Sequence, residues 1–318
     1  MEYLVSVVIC SHNPQPAYIS RVLDALKSQT LPRTEWELLL VDNSSNPPLA
    51  EWNDLSWHPN ARLIPEEKLG VVYARLRGLK ESHGAISIFV DDDNVLDRDY
   101  LRSALEIESR YPLLGAWGGQ VWPEFEGGSP EEWTRSSWPL LAIAQFDKDS
   151  WSNLEQSVTM PVGAGMCIRK QVAQKYIRLV QEDPRHLTLG RQGELLISCE
   201  DFDLALCALD IGLGLGKFVR LKLTHILPMG RLTEKYLLNL VKGIVYSRAI
   251  MDFLRNKPQE QLSWRTKMRY FITSFLMTAR DRKFLKVTKQ AQSMAAKEIR
   301  KMKADANILE LSRPIYQQ

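Results

Sequence analysis

The sequence has few cysteines, four in 318 residues, and no spacing between them that is typical of disulfides or of zinc sites. Each stands among apolar residues: Cys10, Cys167, Cys199 and Cys207. Small core residues in a reducing compartment explain this usage. A disulfide-stabilised secreted scaffold is therefore excluded, and the cytoplasm is the expected location.

Long apolar runs and targeting segments are lacking as well. No apolar stretch approaches the roughly 20 residues that a membrane-spanning helix needs. The first ten residues, MEYLVSVVIC, have no basic leader, so we expect a strand there and not a signal peptide. We therefore predict a protein that is cytoplasmic, or attached peripherally at the inner face of the cell membrane.

Charge is abundant but unevenly distributed. The whole chain carries 41 Lys and Arg against 38 Asp and Glu, a net charge of +3. Residues 233–303 hold 17 Lys and Arg against 5 Asp and Glu, or +12, which leaves 24 against 33, or −9, elsewhere. This shift predicts an α/β domain over residues 1–232 and a basic helical region over residues 233–318.

The N-terminal part alternates the patterns of strands and helices, as in a doubly wound sheet. Predicted strands at 4–10, 36–41, 61–64 and 86–90 alternate with predicted helices at 17–29 and 70–81. Polar groups follow three of the strands: Ser11, His12 and Asn13; Asp42, Asn43 and Ser44; Asp91, Asp92 and Asp93. Because carboxyl ends of parallel strands meet at one sheet edge, we expect one site there.

The most informative segment is ISIFVDDDN, residues 86–94, where an apolar strand ends in three consecutive carboxylates. Like charges at this spacing repel each other strongly unless a cation lies among them. Helix capping is the alternative explanation, and it suits Asp97 and Asp99 better than the triplet. The triplet therefore predicts a site for a metal ion and a phosphate group.

Two later segments also carry candidate chemistry. Tryptophans such as Trp122 stack well on sugars, and the glycines of residues 163–165 let backbone approach a ligand, although core packing and a tight turn explain these features too. In LLISCEDFDLAL, an acidic pair opens a predicted helix, whose dipole favours an ionised carboxylate that can accept a proton. Asp203 is predicted to be solvated or to cap this helix.

Four motifs in order, VSVVICSHN, LLLVDNSS, GVVYARLRGL and IFVDDDN, resemble glycosyltransferase family 2, in its bacterial-type members. The resemblance implies a GT-A fold, a Rossmann-like mixed sheet flanked by helices as in nucleotide-diphospho-sugar transferases, with residues 1–232 as catalytic domain and a C-terminal helical extension. It also implies inverting, metal-dependent transfer of a hexose from a UDP-, GDP- or dTDP-sugar. The acceptor would be a glycan or a lipid-linked molecule in cell-surface polysaccharide biosynthesis.

The resemblance also implies roles for individual residues. The nucleotide and donor would be bound by Ser11, Asn13, Asp42, Arg75, Asp91, Asp92 and Arg231. Mn²⁺ or Mg²⁺ would be held by the last Asp of the D-x-D triplet, Asp93, and by His225, which closes a predicted strand. The floor of the sugar and acceptor pocket would be formed by Gly163, Ala164, Gly165 and Trp122. Asp201 would be the catalytic base, with Glu200 orienting it.

One departure concerns the helix that follows this acidic pair, where family members often carry an arginine. Cys207 and Ala208 stand at that place, which puts a basic contact from this helix in doubt. A nucleotidyltransferase is one alternative, but SHNPQPAYIS is not the Gly-rich, Lys-bearing loop that such enzymes need. A non-catalytic nucleotide-binding or carbohydrate-binding module is the other alternative.

The basic C-terminal region is predicted to form helices at 234–254, 262–282 and 283–303. With the apolar FITSFLM at 271–277 beside it, the charge suits an anionic membrane surface. Packing on the sheet, or contact between copies in an oligomer, explains these helices equally well. No nucleic-acid motif accompanies the charge, so no nucleic-acid partner is expected.

Overall fold

We describe the protein from a computed structural model that covers residues 3–191, 195–257 and 277–311, with side chains up to Asp305. The chain divides into two compact units. The first comprises Met1–Gln192 with Glu200–Thr233, and the second comprises Gly193–Cys199 with Glu234–Gln318. The predicted assignment of catalysis to residues 1–232 stays a prediction.

The first unit contains a mixed sheet, in which nine strands fall within the described residues. In chain order they are β1 Val5–Ser11, β2 Trp36–Asp42, β3 Ala61–Pro65, β4 Ile86–Val90, β5 Asn94–Leu96, β6 Leu114–Glu126, β7 Ser150–Ser152, β8 Cys167–Arg169 and β9 Gly214–Pro228. Their spatial order is β3-β2-β1-β4-β8-β6-β9-β5, and β7 pairs with β9 beside this path.

The direction of the strands changes across the sheet. β3, β2, β1 and β4 run parallel, β8 runs antiparallel between β4 and β6, and β9 is parallel to β6. β1, β2 and β4 are mostly apolar along their whole length because they are buried on both faces. The predicted α/β mixed sheet is therefore confirmed, including the meeting of three carboxyl strand ends at one edge.

Five α-helices of the first unit lie within the described residues: α1 Pro16–Lys27, α2 Val71–Glu81, α3 Tyr100–Arg110, α4 Lys170–Glu182 and α5 Glu200–Asp210. Proline at the first position of α1 suits a helix start, since its missing N–H would be unpaired there. Its apolar residues recur with helical spacing and enter the core: Ile19, Val22, Leu23 and Leu26.

The second unit contains α6 Glu234–Leu254 and α7 Ala279–Leu311, which pack on each other. The predicted break at residue 283 is wrong, because α7 runs through it without interruption. The helix buries a narrow stripe of small and branched residues, Ala291, Ala295 and Ile299, which gives a weak apolar pattern in the sequence. Most of the predicted helix at 262–282 and of FITSFLM lies outside the described residues.

Among the helices of the described ranges, none combines the length with the apolar character that a bilayer span requires.

Gly165 occupies a position in the core where a side chain does not fit, so its replacement tests the stability of the fold. Its φ is +72°, and an added Cβ would collide with the Tyr100 hydroxyl and with Leu223. We expect Gly165→Ala to lower the free energy of unfolding by about 2–4 kcal/mol, measured by urea denaturation. Gly230→Ala is the matched control, since nothing lies within 4 Å of its added Cβ. Equal effects of the two variants would contradict this account.

Candidate active site

Asp93 is buried just after β4 and faces two basic side chains. Its Oδ2 lies 3.4 Å from His225 Nε2 and 3.0 Å from Arg231 Nη1. Strand register explains the first contact, since Asn94 on β5 pairs directly with His225 on β9. Burial alone would raise the pKa of Asp93, but the hydrogen bonds and charges of His225 and Arg231 hold it below its ordinary value.

His225 lies inside a strand, which corrects the prediction that it closes one. β9 continues to Pro228, and a 3₁₀ helix, Met229–Leu232, then delivers Arg231. The strand continues because β6 pairs with it as far as Glu126. The sequence around His225 does not reveal this pairing, since β6 lies far away along the chain. The structure thus brings Asp93, His225 and Arg231 together.

Asp93 and His225 offer a carboxylate and an imidazole to a metal ion, donors that suit Mn²⁺ or Mg²⁺. The Nδ1 atom of His225 has no hydrogen-bond partner among the described residues. Within those residues, no group of three or more His, Cys, Asp or Glu side chains is placed to hold a metal ion. The pair therefore supplies only part of the coordination that such an ion requires.

Each member of the Asp triplet has a different neighbour. Asp92 accepts a hydrogen bond from the hydroxyl of Ser11, which ties the end of β1 to the end of β4. Burial, together with the charges of Asp93 and Asp91, raises the pKa of Asp92 to about 6. Asp91 faces Arg75 on α2. The triplet thus reaches three separate elements.

Asp42 organises the loop that follows β2. Its Oδ1 accepts the Ser45 N–H at 2.9 Å, and its Oδ2 accepts the Leu49 N–H at 2.8 Å. Asn13 joins this loop to the end of β1, because its side-chain oxygen accepts the Asn46 N–H at 2.8 Å. The Asp42–Ser45 contact is the kind of local turn contact that Asp favours, whereas the other two join positions farther apart in the chain. The nucleoside contacts of Asn13 and Asp42 stay predictions.

Asn43 has no motif-based role, but it fixes the start of α2. Its Nδ2 donates to the carbonyl oxygen of Lys68 at 2.8 Å, and its Oδ1 accepts the Gly70 N–H at 2.8 Å. Because α2 carries Arg75, Asn43 helps to place that arginine. The available signal was its position in the polar cluster after β2.

Arg75 is almost fully buried, with 5% of its surface exposed. Its Nη2 lies 3.7 Å from Asp91 Oδ1, and its Nη1 lies 3.3 Å from Glu200 Oε1. Asp201, beside Glu200 at the start of α5, accepts the Gly163 N–H at 2.9 Å through Oδ2. The structure therefore places the acidic pair, Gly163 and the first Asp of the triplet around one guanidinium group.

The remaining predicted pocket residues are less closely placed. Ala164 is buried, and Gly165 accepts the Tyr100 hydroxyl on its carbonyl oxygen at 2.7 Å, a core contact. Trp122 is 46% exposed on β6, where its register partner is Thr224, the neighbour of His225. Their roles beneath the sugar stay predictions.

Asp203 is fully buried, so the prediction that its side chain is solvated is wrong. Its Oδ2 lies 2.7 Å from Nδ1 of His186, which is also buried. His186 belongs to the 3₁₀ helix Pro184–Leu189, which packs against α5. This pair ties the start of α5 to its surroundings. Sequence alone provided no signal, since nothing local indicates which helix covers α5.

Glu200 is the carboxyl group whose pKa the site changes most clearly. Burial raises the pKa of Glu200 to about 7, although the charge of Arg75 lowers it; Asp201 adds to the rise, and Arg191 opposes it. Near neutral pH, both the protonated and the ionised form of Glu200 are therefore populated. Its position beside Asp201 makes its charge relevant to any proton transfer there.

This shift predicts a pH dependence of stability. The folded state holds the Glu200 proton more tightly than the unfolded state, whose pKa is about 4.3. The free energy of unfolding of the wild type should therefore fall, relative to Glu200→Gln, as pH rises from about 4 to about 7. We expect a change of about 3 kcal/mol in this difference, measured by urea denaturation. The same slope for Glu182→Gln, at the exposed end of α4, would contradict the assignment.

The chain also matches a known protein family. The family model of Glycosyl transferase family 2 matches residues 6–177, which is more than half of the 318 residues. The chain belongs to this family. The resemblance of the four sequence motifs to family 2 is therefore confirmed.

Two curated relatives of this family 2 chain come from Haloferax volcanii. Glycosyltransferase AglE is 36% identical over 190 residues, which cover 58% of each chain. Glucosyl-dolichyl phosphate glucuronosyltransferase is 23% identical over 174 residues, which cover 53% of each chain. The family 2 chain thus spans little more than half the length of these relatives.

Solved structures support the same fold. The crystal structure of S. aureus TarS 1-349 in complex with UDP has a TM-score of 0.50 at 14% identity, covering 99% of this chain and 93% of that one. GalNAc-T7 with UDP, GalNAc and Mn²⁺ has a TM-score of 0.52 at 18% identity, covering 84% and 54%. At these identities the likeness shows the fold alone, and the predicted GT-A fold is confirmed.

Proposed function

We propose that the protein is an inverting, metal-dependent glycosyltransferase, which moves a sugar from a nucleotide diphosphate to an acceptor hydroxyl. The observation that carries this proposal is the meeting of two acidic motifs at one sheet edge. Asp91, the first residue of the triplet, and Glu200 both lie beside Arg75, and Asp201 accepts the N–H of Gly163 next to them. One motif suits a diphosphate with its cation, and the other suits proton transfer.

The donor lies, in this proposal, along the carboxyl ends of β1, β2 and β4. The loops of Asn13 and Asp42 enclose the nucleoside, and Arg231 faces the diphosphate. Asp93 and His225 would hold Mn²⁺ or Mg²⁺, which neutralises diphosphate charge when bound. UDP is the first nucleotide to test, because the TarS and GalNAc-T7 structures hold UDP. GDP and dTDP are the alternatives.

Transfer itself needs a base on the acceptor side. Asp201 takes the proton of the acceptor hydroxyl as that oxygen bonds to the anomeric carbon. The bond to the diphosphate breaks in the same step, and its electron pair leaves with the nucleotide. Arg231 stabilises the negative charge that develops on the leaving group. Attack opposite the leaving group inverts the anomeric centre.

The acceptor belongs to the same proposal. A lipid-linked acceptor is supported by the relative named for glucosyl-dolichyl phosphate, and a glycan of a cell-surface polysaccharide is the other class. For α6 and α7 we propose two roles. They contact a membrane peripherally, or they form the contact between copies of the chain.

The test combines binding with turnover. Calorimetric titration with UDP, with and without Mn²⁺, should show binding that depends on the metal. UDP-, GDP- and dTDP-sugars should then be screened for slow hydrolysis with Mn²⁺ or Mg²⁺, with a chelator as control. Pyrophosphate release from a nucleoside triphosphate would favour a nucleotidyltransferase instead. UDP binding without donor hydrolysis and without pyrophosphate release would favour a non-catalytic module. The absence of any metal-dependent binding would overturn the proposal.

A further inference from the structure

Arg75 connects elements that are far apart in the sequence. It projects from α2 toward Asp91 at the end of β4 and toward Glu200 at the start of α5. Its guanidinium carbon lies 5.2 Å from the centre of the Phe89 ring, which supports the group from one side. The guanidinium is buried and already paired with carboxylates. It therefore differs from an exposed arginine whose charge is available to a nucleotide.

Burial makes these contacts energetically important. An isolated charge in the interior is costly, so a buried arginine requires opposite charges around it. The carboxylates of Glu200 and Asp91 raise the pKa of Arg75 above its ordinary value, although burial alone would lower it. Loss of either carboxylate would therefore leave part of the positive charge of Arg75 without an opposite charge. The energy of its contact with the remaining carboxylate would then change.

Gly163 completes the contact region. An added Cβ would lie 3.0 Å from both Arg75 Nη2 and Asp201 Oδ2. A side chain at this position would therefore be tight against both groups. Within the described residues, Nη1 of Arg75 and Oε2 of Glu200 have no hydrogen-bond partner, so the link retains hydrogen-bonding capacity on both sides.

We propose that Arg75 is a positioning residue that links the two halves of the site. Its guanidinium holds Asp91 and Glu200 at a fixed separation, and through Glu200 it places Asp201. Donor-side and base-side carboxylates then move together and not independently. The structural link stands on the contacts above, whereas its catalytic meaning rests on the proposed function.

The first test uses the protein without any ligand. Urea unfolding is measured for Asp91→Asn, Glu200→Gln and the double variant, in the wild-type background and in Arg75→Met. We expect the two substitutions to be non-additive in the wild type, and this coupling to disappear once Arg75 is replaced. Coupling that is unchanged in the Arg75→Met background, or additivity in the wild type, would overturn the proposal.

Arg75→Lys keeps the test decisive if Arg75→Met does not fold. Lysine keeps the charge but carries it on one ammonium group, which cannot span two carboxylates as a planar guanidinium does. We expect Arg75→Lys to fold and still to lose the coupling between Asp91 and Glu200. Coupling that persists with lysine would show that no bridge is needed, and would contradict the proposal.

The second test separates positioning from a purely structural role. With a UDP-sugar that the wild type hydrolyses, Arg75→Lys should lower kcat by about 100-fold, with a much smaller change in the KM of the donor. Arg77→Met is the matched control, since Arg77 lies on the same helix and pairs with Glu81. A fall in the fraction of folded protein alone, or an equal effect of Arg77→Met, would overturn the positioning role.

The pH profile provides a further readout in the Arg75→Met variant. The charged and titratable groups near Glu200 are Arg75 from α2, Asp201 from its own helix, Arg191 from the loop after the 3₁₀ helix Pro184–Leu189, and Tyr176 from α4. Removal of the Arg75 charge should move the acidic limb of the kcat profile to higher pH, and an unmoved limb would contradict the proposal. If the wild type turns over no donor, the proposed function fails, and the unfolding cycle still decides the link.

Discussion

We expect Asp201→Asn to abolish most sugar transfer while it leaves donor binding intact. The amide cannot accept the proton of the acceptor hydroxyl, so kcat should fall by about 1000-fold. The amide oxygen can still accept the Gly163 N–H that Asp201 Oδ2 accepts at 2.9 Å, so the local fold should persist. The measurement is release of UDP from the donor identified in the screen, together with calorimetric titration of UDP and Mn²⁺.

The matched control for this substitution is Asp210→Asn, at the exposed opposite end of α5. It changes the same helix by the same chemistry but lies away from Gly163. Normal turnover by Asp201→Asn would remove Asp201 from the role of base. Loss of UDP binding along with turnover would assign Asp201 to the donor and not to the acceptor.

The second large effect is expected for Asp93→Ala. This change removes the carboxylate that faces His225 and Arg231, and with it one of the two proposed metal ligands. Several kcal/mol of charge stabilisation should be lost, so kcat/KM should fall by about 1000-fold. UDP titration should also lose most of its dependence on Mn²⁺, which is the more direct readout.

Asp97→Ala is the matched control for Asp93, because Asp97 is an exposed aspartate just after β5. Circular dichroism and urea denaturation should show that both variants fold. Metal-dependent UDP binding that survives in Asp93→Ala would contradict the ligand role. It would also leave Arg231 as the main contact for the diphosphate.

The sequence predicted the parallel half of the sheet well, for a local reason. β1, β2 and β4 are mostly apolar and are followed by polar clusters, so both signals lie within a few residues of each other. The antiparallel half was harder to predict. β5 has only three residues, and its existence depends on pairing with β9, which is distant along the chain.

Candidate site residues follow the same division. The Asp triplet and the pair Glu200–Asp201 can be recognised in the sequence, because adjacent carboxylates repel each other and their presence indicates a site that balances this charge. The family resemblance selected Arg75, but helical patterning alone does not separate it from Arg77, since both lie on α2 and only packing buries the first. Asp203 was misjudged because its partner, His186, belongs to a separate 3₁₀ helix.

The sequence by itself determined which residues could form a diphosphate and metal site, since local strand patterns bring the triplet to a sheet edge. Only the tertiary structure decided how those residues are connected. Strand register set Asp93 beside His225, and burial placed the Arg75 guanidinium between Asp91 and Glu200. The physical reason is range: patterning acts between near neighbours, whereas charge pairing in the interior depends on elements that meet only when the chain folds.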